Sequence, residues 1–547
     1  MPAELNIKKI AMIGCGSMGG GMAQLFAENG IHVSLEDPSS DQMDIVIDSA
    51  KQAGIPADRI NKHSDYKSLC ESLDKPKVLF FSLPHGSVGD SVLGGLMPYL
   101  EKGDIIVDCG NEHWENTERR QGKCVTKGIR YVDCGVSGGY QAARRGPSMC
   151  PGADDETLSL VLPLLRIAAA KDPQGKPCVG PVGTGGAGHY CKMIHNGIEH
   201  GMMSAIAEAY GLMRTGLGMS LDEISNVFDD WNSKGELQGT FLIWISRDIC
   251  RTKDEKGQYV LETVEDKVVQ DYTGEEGTGV WSNTEAVEHH VPAPTLTAAH
   301  YLRVASGDRH QRALIQRTFG VGSGSSSNNH TSVFPPQKLD SVHDHAAFLE
   351  TLRMAVYTAC LAAYCQGLII IHKADKGKSE KKPARRSKLV LIVWQYVSSL
   401  RRSGILKPLQ GSKPLANHFN VNYAELLQVW RAGCIIQADS ISGNLLQPIY
   451  NNGNATNPLL NKSIAEDLNR GFPHLRTVVA KAVEGDHVVP ALSATLEYLK
   501  YQTSTELPTN FYEAQLDYFG KHMYDVKGED DAGQPETGKA HWEWKPA

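Results

Sequence analysis

One stretch near the start limits the fold more than any other. The apolar run Lys8 to Ile13 (KKIAMI) empties directly into Gly14-Cys15-Gly16-Ser17-Met18-Gly19. An apolar-periodic segment through Met22, Leu25 and Phe26 follows, and a second short run, Ile31 to Leu35, ends at Glu36-Asp37. Strand, glycine-rich turn, helix, strand and acid in that order predict a Rossmann βαβ unit. The glycines allow a tight turn and bring a pyrophosphate close to a helix N-terminus, and the acid some twenty residues on can hold a ribose diol. A G-x-G-x-x-G pattern alone matches many turns by chance. Its placement after a strand, before a helix and at this distance from Glu36 and Asp37 makes the dinucleotide reading specific. Gly14, Gly16, Ser17, Met18 and Gly19 are therefore candidate cofactor-binding residues, with Glu36 and Asp37 beside them.

Alternating strand and helix signals continue to about Val182. Val78 to Leu83 and Ile105 to Asp108 are apolar runs of strand length, each expected to end at the carboxyl edge of a parallel sheet. Tyr131-Val132-Asp133 reads as a strand leading into a second glycine-rich loop, Gly135-Val136-Ser137-Gly138-Gly139. From Gly188 strand patterns nearly vanish and helical ones dominate. The expected architecture is α/β plus all-α: a doubly wound Rossmann sheet over 1–187, a large helical domain over 188–505, and a C-terminal tail over 506–547.

The segment Gly188 to Glu199 (GHYCKMIHNGIE) opens that helical part. At 3.6 residues per turn Lys192, His195, Asn196 and Glu199 share one helix face. The surrounding Met193, Ile194, Ile198, Met202, Met203 and Ile206 leave little other polar surface, so the helix reads as buried. Most Lys/Glu stripes are solvated. An amine, imidazole, amide and carboxylate buried together are costly unless paired or used, and this stripe reads as an acid-base site.

Composition narrows the partners. A net charge of −8 over 547 residues argues against nucleic acid or an anionic membrane. No run of apolar residues reads as a membrane span, and the first ten residues lack the apolar core of a secretory leader. The 12 cysteines are scattered without a C-x-x-C pair, as in reduced cytoplasmic proteins. Cys15, Cys109 and Cys134 read as small buried residues. No His/Cys cluster has metal-ligand spacing, so no metal is expected.

With these motifs in place, the chain resembles the 6-phosphogluconate dehydrogenases, within the 3-hydroxyacid dehydrogenase superfamily. The carriers are GCGSMG, Val136-Ser137-Gly138-Gly139, the helix from Gly188, Glu276 to Trp281, Trp430 to Cys434, and Ala514 to Gly520. The resemblance implies NADP-dependent oxidative decarboxylation of a sugar acid by a homodimer whose tail reaches the partner subunit. It makes Lys192 the base and Glu199 the acid that protonates the enediol. It also implies that Asn111, Ser137, Gly138, Gly139, His195, Asn196, His200, Thr278, Arg303 and His522 bind substrate, with Asn111 also touching the cofactor. A buried lysine can have its pKa lowered towards neutrality, which suits a base.

The departures from that family gather at phosphates. Pro38 stands where the family places an arginine for the 2'-phosphate, directly after Glu36 and Asp37. NAD is therefore expected to serve at least as well as NADP, unless Lys62 or Lys67 replaces the arginine. Around the substrate phosphate, His200, Glu276 and Leu516 replace Tyr, Lys and the partner's Arg, while Thr278 and Arg303 remain. Weak binding of 6-phosphogluconate follows as an expectation. Ala374 to His418 is extra relative to the family and reads as a basic interaction loop, a surface insertion or a translated intron; Gly322 to Asn329 reads as a flexible loop. A dehydrogenase of an unphosphorylated hydroxy acid and a non-catalytic NAD(P)-binding paralogue are the other readings. The intact Lys192/Glu199 pair argues against the second of these.

Overall fold

The structure, a computed structural model, describes residues 7–273, 277–319, 333–376, 419–453, 457–528 and 538–544. Its contacts group into two units, Met1–Thr495 and Leu496–Ala547. The first opens with strict alternation: β1 (Lys9–Ile13), α1 (Ser17–Glu28), β2 (His32–Glu36), α2 (Ser40–Gln52), β3 (Ile60–Lys62), α3 (Tyr66–Glu71), β4 (Val78–Phe81), α4 (Ser87–Leu96), β5 (Ile105–Asp108), α5 (Trp114–Val125), β6 (Arg130–Ser137), α6 (Gly139–Arg145), β7 (Ser148–Gly152) and α7 (Asp155–Ala168). The strands form one sheet in the order β3-β2-β1-β4-β5-β6-β7. The first six strands are parallel and β7 closes the edge antiparallel to β6. Val78–Phe81 and Ile105–Asp108 are buried throughout, as central parallel strands covered on both faces must be. The chain reverses direction across the sheet between β1 and β4, which opens a crevice at their carboxyl ends.

Helices follow: α8 (Ala187–Gly211), α9 (Leu221–Ser233), α10 (Phe241–Arg251), α11 (Val269–Thr273), α12 (Thr278–Glu288), α13 (Pro294–Gly307), α14 (Arg309–Thr318) and α15 (His345–Lys376). α8 packs on β6 and β7 along one side and on α12, α13 and α15 along the other. This places its polar stripe between sheet and helices. In the second unit, helix Thr509–Gly520 presents Asp517, whose carboxylate accepts from Met523 N–H (3.0 Å), His541 Nδ1 (2.9 Å) and Trp544 Nε1 (2.9 Å).

Several local expectations are corrected. Gly135, Val136 and Ser137 are strand and not loop, because β6 continues to pair with β7 as far as Ser137 opposite Ser148. One helix, α15, is long and apolar enough to cross a membrane, with a mean hydropathy of 1.8 over its best window. That window is wholly buried, with α8 and the helix Lys462–Glu484 against it, so the apolar run is core. Met203 is 46% exposed although its helix neighbours are buried. Of the supposed insertion, Ala374 to Lys376 form the last turn of α15 and Ala374 is buried. The remainder, 377–418, and the loop Gly322 to Asn329 lie outside the described residues.

Candidate active site

The crevice at the end of β1 is shaped by its glycines. Gly14 has φ +90°, and a Cβ there would fall 2.2 Å from the carbonyl oxygen of Ser82, at the end of β4. A Cβ on Gly19 would meet Gly14 O at 2.0 Å. Gly16 differs: nothing lies within 4 Å of its Cβ position, and it caps α1 without a side-chain hydrogen bond. The first turn of α1 thus offers its N–H groups and positive dipole end to open space, where a phosphate fits. Asp37 braces this turn, accepting from Cys15 N–H at 2.7 Å and Ser39 N–H at 2.8 Å. Burial, then the neighbouring Asp37 charge, raises the pKa of Glu36; burial pushes the Cys15 thiol up to about 12.

The second half of the site is the stripe on α8. A Cβ on Gly135 of β6 would lie 2.4 Å from Lys192 Cβ, so the bare strand lets α8 sit close enough to present the lysine. Lys192 is buried, and its Nζ donates to Asn196 Oδ1 at 2.7 Å. The same oxygen accepts from His195 Nδ1 at 2.9 Å, while Asn196 Nδ2 donates to Thr278 Oγ1 at 2.9 Å. An amide oxygen only accepts, so His195 carries its proton on Nδ1. Its Nε2 then accepts, with Ser137 Oγ and Cys434 Sγ each 3.0 Å away. Burial, then the Lys192 charge, holds the His195 pKa well below its ordinary value, so the ring is neutral. Glu199 Oε2 stands 3.8 Å from His195 Nδ1 with its side chain 20% exposed, a carboxyl group within reach of water.

Both halves line one cavity of about 950 Å³. Gly14, Gly16, Ser17, Met18, Glu36 and Asp37 form one end; Asn111, Ser137, Gly138, Gly139, Lys192, Asn196 and Glu199 form the other. His195 lies directly behind, through Asn196 and Ser137. Thr278 joins through Asn196. His200 and Arg303 meet one residue beyond Glu199, and Arg303 also takes both Nε (3.0 Å) and Nη2 (2.9 Å) to Asp271 Oδ2. His522 and Leu516 belong to the unit Leu496–Ala547, where His522 is exposed beside Phe519. Glu276 lies outside the described residues.

Sequence reasoning passed over several participants. Cys434, seen only as part of a family motif, lies against His195 across more than two hundred residues. Tyr66, His85, Gln270 and Ile435 line the cavity from four separate segments. Trp281 of α12, likewise seen only as part of a family motif, sits edge-on to His85 (5.2 Å) and His113 (5.2 Å), joining helix and sheet beside the cavity. No local pattern marks these residues, because each arrives by long-range packing.

Residues 9–183 match the family described as the NAD binding domain of 6-phosphogluconate dehydrogenase. Residues 188–395 and 406–544 match the C-terminal domain of 6-phosphogluconate dehydrogenase. The chain is 38% identical to a decarboxylating 6-phosphogluconate dehydrogenase of Emericella nidulans, over 97% of this chain and 100% of that one. It is 33% identical to a decarboxylating 6-phosphogluconate dehydrogenase of Arabidopsis thaliana, over 95% and 96%. The structure is similar to that of Plasmodium falciparum 6-phosphogluconate dehydrogenase, studied with its cofactor NADP+ and its substrate 6-phosphogluconate. The TM-score is 0.76 at 28% identity, covering 97% of this chain and 99% of that one.

Proposed function

Because the chain belongs to the 6-phosphogluconate dehydrogenase family, we propose that its cavity carries out the oxidative decarboxylation of 6-phosphogluconate to a pentulose phosphate, or of a closely related 3-hydroxy sugar acid to the corresponding pentulose, with CO2 and reduced dinucleotide as the other products. The observation that carries this reading is one cavity holding both an open, uncapped glycine turn and the Lys192–Asn196–Glu199 stripe.

The open face at Gly16 and the uncapped end of α1 suit a dinucleotide pyrophosphate. When bound there, NADP+ or NAD+ supplies the hydride acceptor. Lys192, as the free amine, takes the proton of the C3 hydroxyl as hydride leaves C3, giving the 3-keto acid. The resulting ammonium donates to the new carbonyl oxygen, which receives the electrons of the carbon–carbon bond as CO2 departs. Glu199 then returns a proton to the enediol carbon. Asn196 holds Lys192 in line, and neutral His195 fixes Asn196 without adding a second positive charge. Ser137 and the Gly138–Gly139 turn hold the carboxylate through a hydroxyl and N–H groups, and Asn111 sits where it can touch both ligands. His200, Thr278 and Arg303 receive the far end of the substrate, with His522 reaching from the partner subunit.

We assign the active form as a homodimer. Exposed Tyr272, Tyr301, Ile315 and Phe319 on α11–α14 and just after them, with Phe511 and Phe519 of the tail, support that reading. Twelve buried cysteines without a disulfide suit the cytosol. The decisive experiment is Lys192→Met. Turnover of 6-phosphogluconate should vanish while NAD(P) binding persists; near-normal turnover would end the assignment.

A further inference from the structure

Two carboxylates stand where β2 ends, and the structure gives them different work. Asp37 is committed to the backbone, with Oδ2 on Cys15 N–H at 2.7 Å and Oδ1 on Ser39 N–H at 2.8 Å. These bonds tie the end of β2 to the turn between β1 and α1. Glu36 is held differently: its carbonyl accepts from Gly14 N–H at 2.9 Å, which fixes its backbone beside the glycine turn. Its carboxylate lines the cavity and has no hydrogen-bond partner among the described residues. A last-strand acid in that position faces the ribose of the adenosine.

The surroundings suit a hydroxyl and oppose a phosphate. Lys62 Nζ rests on both oxygens of Asp44, at 2.6 and 2.7 Å, and Lys67 faces Glu71 at 4.0 Å. Pro38, the next residue along, has no N–H to donate. Among the described residues lining the cavity, the sole lysine or arginine is Lys192, across the sheet beside the end of β6. A 2'-phosphate carries about two negative charges and needs a cation or several donors. Here it would meet Glu36 and Asp37 instead.

We infer that Glu36, and not Asp37, is the specificity-determining residue for the cofactor, accepting the adenosine ribose 2'-hydroxyl and turning the site towards NAD and away from NADP. This rests on the dehydrogenase reading above. Asp37 is then a positioning residue that shapes the phosphate turn for either dinucleotide.

Calorimetric titration of the purified protein with NAD+ and with NADP+, without substrate, tests this independently of turnover. Wild type should bind NAD+ at least about tenfold more tightly, the scale of one charged hydrogen bond gained or lost. Glu36→Gln should reduce that ratio at least about threefold, and Glu36→Ala serves if the glutamine variant does not fold. Asp37→Asn should weaken both dinucleotides together and lower the melting temperature, leaving the ratio in place. Lys62→Met should change neither affinity. Tighter binding of NADP+ by wild type, a ratio unmoved by Glu36 variants, or loss of NADP+ binding in Lys62→Met would each overturn the inference. Binding of neither dinucleotide would overturn the dehydrogenase reading itself, and this inference with it.

Discussion

Lys192 and Asn196, one turn apart on α8, share a 2.7 Å hydrogen bond from the amine Nζ to the amide Oδ1. The amide is neutral, so it orients the lysine without charging its surroundings. Asn196→Asp would set an anion on the same atom and favour the ammonium. The acid limb of the kcat/KM profile should then move up by about one to two pH units, because the free base appears only at higher pH. Steady-state rates between pH 6 and 9 check this. An unmoved limb would mean that Lys192 is not the group that titrates.

Lys192 and Glu199 are assigned to opposite ends of the reaction, so their variants should fail at different moments. Glu199→Gln should cut kcat by about 10²–10⁴-fold, the usual cost of losing a positioned acid. It should still give a first-turnover burst of reduced dinucleotide, since hydride leaves before the carbon is protonated. Rapid-mixing absorbance at 340 nm separates the two outcomes, and loss of the burst would place Glu199 at the first step.

Under the proposed function, Arg303 is the cation assigned to the far end of the substrate. It is already neutralised by Asp271 and shared with His200, so its charge is partly spent before substrate arrives. Arg303→Met should raise KM for 6-phosphogluconate by about 10²-fold and leave kcat within a few-fold, because the contact lies far from the reacting carbons. Turnover of gluconate should hardly change. Equal losses on both substrates would show that Arg303 supports α13 and not the phosphate.

Stability should fall on mild acidification. His189 is buried, with Nε2 donating to Asp108 O at 3.1 Å and Nδ1 accepting from Thr117 Oγ1 at 2.7 Å, so both nitrogens are used in the neutral form. Burial lowers its pKa, as it does for His195. An unfolded histidine titrates near pH ~6.5. Below that, the unfolded chain takes up protons that the native rings refuse. The stability of the neutral form is complete above pH ~6.5 and drains away as pH falls towards the native pKa, by about 1.4 kcal/mol per pH unit for each ring. Urea midpoints at pH 7.5 and 5.5 measure the slope, and His189→Gln should flatten it.

The parts of the site carried by local pattern are legible in the residue order itself. The glycine turn, the helix stripe and the central strands each repeat at the period of one element, so neighbours in sequence are neighbours in space. What the pattern could not supply depends on distant pairing. Glu36 and Asp37 look alike as letters; only Cys15 N–H, reached through the turn, separates the strut from the free carboxylate. Gly135 to Ser137 resemble a loop until β7 pairs with them. Cys434 and Trp281 come to the site through the packing of later helices, and α15 shows hydropathy without showing what covers it.

That helix has a consequence during synthesis. α15 is buried between α8, which precedes it, and Lys462–Glu484, which the ribosome makes much later. A nascent chain that ends before Lys462 therefore carries the apolar stretch of the 32-residue helix α15 with one flank uncovered. Such a surface attracts chaperones, membranes and other copies of itself. Truncations ahead of Lys462 should consequently precipitate instead of yielding a shorter enzyme, although Lys462–Glu484 is not among the described segments that line the cavity.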